Sequence, residues 1–130
     1  MQEKDLFEYA VIRIVPYVER EEFINVGVIL YCKRQEFLGV KWSLDEAFLK
    51  QFAPQLDLTE VYQHLCSFDI ISKGGEEGGT IGMMDLAGRF RWLTATRSTI
   101  LQISNVHPGY TDNAIITLEH LFQQLIVRSK

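Results

Sequence analysis

At 130 residues, 47% hydrophobic and 12% aromatic, the chain has the size of one ordinary domain and enough apolar material for a core that needs neither disulfides nor a metal, which excludes disorder. The opening Met-Gln-Glu-Lys-Asp lacks the basic and apolar regions of a secretory leader, and no apolar run approaches the roughly 20 residues that cross a bilayer. The net charge of −4 argues against a broad nucleic-acid footprint, which needs a basic face.

The expected location is therefore the cytoplasm, with Cys32 and Cys66 reduced and packed as small hydrophobes. Phe7 to Val15 reads as a first strand closed by Pro16, with apolar residues on both faces and Arg13 as the exception. A second strand spans Phe23 to Cys32, where Gly27 marks a bulge or a close backbone approach. After the polar turn Lys33-Arg-Gln-Glu36, Phe37 to Trp42 returns as a third strand, completing a hairpin.

Helices follow. Ser43-Leu-Asp-Glu46 has capping-box spacing ahead of a face made by Leu44, Phe48 and Phe52, and Pro54 ends that segment. Asp57 caps a longer amphipathic helix reaching about Ile71, with Leu58, Val61, Tyr62, Leu65 and Cys66 on one stripe. Gly74-Gly-Glu-Glu-Gly-Gly79 reads as a mobile surface loop; it lacks the Lys-Ser/Thr ending of a phosphate loop. Asp85 to Leu93 has helical spacing, Thr99 to Ile103 reads as a short strand, and Asn105 to Tyr110 as a loop. Asp112 caps a last helix whose stripe is Ile115, Leu118, Phe122, Leu125 and Ile126. The order implies a single α+β domain over residues 1–130: an antiparallel or mixed sheet of about four strands, with three to four helices packed mainly on one side.

No metal, cofactor or nucleophile signature stands out. His64, His107 and His120 are far apart in the chain, and no Walker, Rossmann or Gly-x-Ser-x-Gly pattern occurs. The charge is uneven, however. Leu86 to Thr111 carries Arg89, Arg91 and Arg97 and no carboxylate, so that stretch holds +3 and the rest −7. Guanidinium forks and hydroxyls together match phosphates and carboxylates. Arg13, Asn25, Arg97, Ser98, Thr99 and His107 thus form a candidate anion or nucleotide site, or else an internal polar network tying the last strand to the sheet; a buried Arg13 needs a partner, for which Glu22 is available. Arg89, Arg91 and Trp92 are candidates to face an acidic partner, and an arginine-flanked aromatic could also stack a base.

The stretches Tyr9-Ala-Val-Ile-Arg-Ile-Val-Pro16 and Glu22-Phe-Ile-Asn-Val-Gly-Val-Ile-Leu30, then Arg89-Phe-Arg-Trp-Leu-Thr-Ala95, Arg97-Ser-Thr99 and Val106-His-Pro-Gly109, resemble the motifs of a bacterial domain-of-unknown-function family, number 3037. The resemblance implies a bacterial cytoplasmic protein and supplies no reaction. It also implies an accessory role beside a HipA-like kinase. A binding module acting with a larger protein is the first expectation. The alternative is an enzyme or sensor that takes a phosphorylated small molecule.

Overall fold

The computed structural model describes residues 4–95 and 100–127. Among them are β1 (Asp5–Ile14), β2 (Ile24–Cys32), β3 (Phe37–Trp42), α1 (Glu46–Phe52), α2 (Leu58–Lys73), α3 (Gly79–Gly82), α4 (Leu86–Ala95), β4 (Leu101–Ile103), β5 (His107–Thr111) and α5 (Ala114–Leu125). Single 3-10 turns lie at Val18–Arg20 and Glu76–Gly78. The sheet is antiparallel throughout, in the order β3-β2-β1-β4, and β5 also pairs with β1. β1 is central, as its two apolar faces require.

The alternation of β1 divides the core into two layers. Ile12 and Ile14 face α1, α2 and α4, where Leu49, Val61, Leu65, Phe68, Ile71, Phe90 and Leu93 are buried. Phe7 and Val11 face the other way, with Val28, Leu30 and Cys32, beneath Ala114, Leu118 and Phe122 of α5 and Ile126 just beyond it. Most helices thus share one side, while α5 alone covers the other. Each fully buried Leu, Ile or Phe in these layers contributes roughly 1.5–3 kcal/mol.

The β1–β2 register skips Val26, pairing Ile12 with Gly27 and Arg13 with Asn25. This is the bulge that Gly27 marks. A Cβ at Gly27 would also lie 2.8 Å from Trp42 Cβ, so the close approach is real as well.

Several local expectations are corrected. Asp45, not Ser43, caps α1, accepting from the Phe48 amide, and Leu49 rather than Phe48 is its buried residue. Asp57 caps α2 as expected, but the helix runs to Lys73 and Tyr62 is exposed. Asn113, not Asp112, caps α5, which moves the buried stripe to Ala114, Leu118 and Phe122 and leaves Ile115 outside. The Gly-Glu segment is not an open loop. The Gly75 amide donates to the Gly82 carbonyl at 2.8 Å, closing Glu76–Gly78 and α3 into two compact turns.

The largest difference lies at Asn105 to Tyr110, where His107–Thr111 is strand rather than loop. β4 and β5 together line one edge of β1, separated where Ser104 takes over the pairing. The Ser104 amide donates to the Val11 carbonyl, and the Ser104 hydroxyl accepts from the Val11 amide. Pro108 is tolerated because β5 pairs on one side only.

Candidate functional site

Arg13 projects on the α5 side of the sheet. Asn25 of β2 and Gln102 of β4 lie directly opposite it on either hand. Opposed residues of antiparallel strands point to the same face, so a guanidinium flanked by two carboxamides forms one row across the sheet. α5 rests on β2 and β3, and all three residues of the row stay half-buried.

The Arg13 Cζ lies 4.2 Å from the centroid of the Phe23 ring, itself 47% exposed. A guanidinium over an aromatic face is held by the ring quadrupole at about 0.5–1 kcal/mol. Its Nε is nevertheless buried with no hydrogen-bond partner, and so is Asn25 Oδ1. Leaving such groups unmet costs about 1–3 kcal/mol each. Glu22, the expected partner of Arg13, pairs instead with Arg20. A shallow hollow of about 350 Å³, lined by Val15, Glu21, Glu22, Phe23 and Gln102, borders the row. Glu21 turns the chain there in the left-handed region, at φ 56°.

The other residues of the proposed anion set do not all gather here. His107 is exposed and lies opposite Tyr9, with ring centroids 5.3 Å apart. Arg13 lies four residues along β1 from Tyr9, roughly 13 Å at about 3.3 Å per residue, so His107 does not share a site with Arg13. Arg97, Ser98 and Thr99 lie outside the described residues. Ile100, which follows them, accepts from the Val15 amide at 2.7 Å, two residues along the chain from Arg13.

Arg89, expected to face a partner, is buried at 9% exposure. Its Nη1 donates to the Ile71 and Ser72 carbonyls at 3.0 and 2.8 Å, and its Nε donates to the Met84 carbonyl at 3.1 Å. It therefore meets the last carbonyls of α2, where a cation is favoured by the helix dipole. Arg91 and Trp92 remain on the outer surface of α4. They stand about 100° apart around the helix.

Phe23 and Gln102 adjoin Arg13 and were not anticipated from the sequence. Gln102 was legible in the strand alternation, since it is a polar residue between Leu101 and Ile103. Arg89 also carried a signal. It sits three residues from Leu86 and four from Leu93, on the apolar stripe itself.

Among the described residues no His, Cys, Asp and Glu cluster could hold a metal ion, and no helix is long and apolar enough to cross a membrane. A second salt bridge, Lys41 to Glu119, ties α5 to β3. The Lys41 hydrogen bond, then that of Gln123, holds the Glu119 carboxyl below its ordinary range.

No curated protein and no solved structure matches the chain. One family does, described as protein of unknown function (DUF3037), and its model spans residues 9–126. That span runs from the central strand bearing Arg13 to the end of the helix covering the sheet, and the chain belongs to this family.

Proposed function

We propose that the protein is a binding module that takes a carboxylate, or another oxyanion, of a larger partner on the row Asn25–Arg13–Gln102. One observation carries this reading. Arg13 sits on the central strand, rests on Phe23, and forms no salt bridge with any described carboxylate. A half-buried guanidinium with a vacant donor gains about 1.5–3 kcal/mol from a charged acceptor that arrives with a partner. The flanking carboxamides supply neutral donors that widen the contact without competing for the charge. Glu21 and Glu22 on the rim oppose diffuse anion binding, so recognition rests on direct bidentate contact. A HipA-like kinase is the first partner to test, on the family resemblance.

The experiment is tagged recovery from native lysate at native abundance, with parent and Arg13→Gln compared by quantitative mass spectrometry. A partner lost selectively in Arg13→Gln supports the reading. Recovery of the protein alone, or a partner retained undiminished by the variant, refutes it.

A second reading places a phosphorylated small molecule at the same guanidinium. The flanking amides favour it, because Asn25 and Gln102 could meet oxygens that one arginine leaves unmet. Thermal stabilisation by a phosphate and nucleotide panel, abolished in Arg13→Gln, is its signature. At about 1,000 times the dissociation constant the gain is about 4 kcal/mol.

A further inference from the structure

A separate cleft opens at the C-terminal end of α5, away from the stretch that carries the arginines. It measures about 210 Å³ and is lined by Ile24, Asn25, Ser43, Asp45, Phe48, Leu49, Ile126 and Val127. Its walls divide by chemistry. Ile24, Leu49, Ile126 and Val127 supply an aliphatic lining, and Phe48 a half-exposed ring. Its charged group is the Asp45 carboxylate. That carboxylate accepts one hydrogen bond, from the Phe48 amide to Oδ1, leaving Oδ2 to meet a second donor. The Ser43 hydroxyl adds another acceptor. Asn25 contributes an amide whose oxygen is buried without a partner. The last turn of α5 ends at this cleft, and the carbonyl end of a helix carries about half a negative charge.

From this geometry we infer that the cleft binds a primary ammonium on a short alkyl stem. Acceptors surround the place where the charged head would sit, and aliphatic walls flank the place where the methylenes would lie. The cleft, at about 210 Å³, has room for the five heavy atoms of a butylammonium stem. A lysine side chain and a free alkylamine offer the same group. The Asp45 carboxylate favours a cation over a neutral stem of the same shape. Charge recognition in this cleft rests on Asp45 and not on Arg13. The cleft and the oxyanion row meet only at Asn25, and either can fail without the other.

The test uses the full chain and amide-resolved NMR titration with n-butylammonium, with n-butanol of the same stem as the neutral control. Saturable shifts at Ser43, Asp45, Phe48 and Val127 with the ammonium, and none with the alcohol, are expected. Asp45→Asn is the decisive variant. Asn is as good an N-cap as Asp, so α1 is retained while the charge is lost. Affinity should fall about fivefold, the upper range for an exposed ion pair. Val127→Phe, which fills the mouth of the cleft, should abolish binding and covers the case in which Asp45→Asn disturbs the fold. Equal shifts with the alcohol, unaltered affinity in Asp45→Asn with circular dichroism intact, or binding that survives Val127→Phe would each overturn the inference. Nα-acetyl-lysine amide and putrescine separate the sources. Tighter binding of the lysine derivative points to a protein side chain, and tighter binding of putrescine to a free amine.

Discussion

Replacing Arg89 by Met should destabilise the fold by about 3 kcal/mol. The guanidinium makes three hydrogen bonds, to the carbonyls of Ile71, Ser72 and Met84. Hydrogen bonds from a charged donor contribute about 1.5–3 kcal/mol each. The Ile71 carbonyl keeps the Gly74 amide when Arg89 is lost, so the main losses fall on Ser72 and Met84. Against them stands the cost of burying a cation with no carboxylate beside it, several kcal/mol by desolvation. The α2 carbonyl terminus offsets up to about 2 kcal/mol of that. The difference leaves a net stabilisation near 3 kcal/mol. Met has similar length and fills most of the volume, so the measurement reports the polar contacts rather than a cavity. In urea, with a slope of about 2 kcal/mol/M for a domain of this size, the midpoint should fall by about 1.5 M at unchanged slope. Arg89→Lys, which keeps the charge but loses the fork, should fall between the two. If Arg89→Met unfolds within about 0.5 kcal/mol of the parent, the clamp contributes nothing net, and the account of how α2, the Gly-Glu turns and α4 are held together fails.

Other outcomes follow from single contacts. Arg13→Met should leave stability unchanged or raise it by up to about 2 kcal/mol, because relief of an unmet donor outweighs the loss of one cation–π contact; a lowered urea midpoint would show that Arg13 holds the fold together. Gly82→Ala places a Cβ against the Gly75 carbonyl oxygen, and thermal melts should show a loss of about 1–3 kcal/mol with the Glu76–Gly78 turn displaced. Glu119 should titrate below an ordinary glutamate by NMR, and Lys41→Ala should bring it back toward that value. Because the folded value is the depressed one, the Lys41–Glu119 link stabilises fully above the unfolded carboxylate value of about 4.3 and is lost as pH falls through the folded value. Lys41→Ala should therefore weaken the fold more at neutral pH than in acid, where its contact with the Phe122 ring is all that remains to be lost.

The strands were legible because alternation survives burial on both faces: Phe37–Trp42 and the β2 hairpin arm follow the apolar pattern closely. Helix phases were less so. At α1 and α5 two residues close in the chain could each cap, Ser43 or Asp45 and Asp112 or Asn113, and the choice rotates the buried stripe. β5 was hidden because His-Pro-Gly reads as a turn, while the structure uses Pro on an unpaired edge and lays Phe7 over Gly109. The Gly-Glu segment misled for a related reason. Glycine composition predicts entropy, but Gly82 allows a backbone approach that no other residue would permit. That Arg13 and Asn25 are neighbours on adjacent strands was legible. The separation of His107 from Arg13 was not, because strand register sets distance along the sheet and the sequence does not reveal register.

The central position of β1 has a bearing on how the chain is made. Its residues from Glu8 to Ile14 pair with β2 as soon as that strand is made, but the opposite edge waits for Leu101–Ile103 and His107–Thr111. During synthesis the earliest strand thus stays half-zipped, with an apolar flank open, until nearly the last helix is emerging. Nascent chains stopped before residue 101 should be sticky, whereas a separately supplied segment from 100 to 127 should be able to complete them in trans.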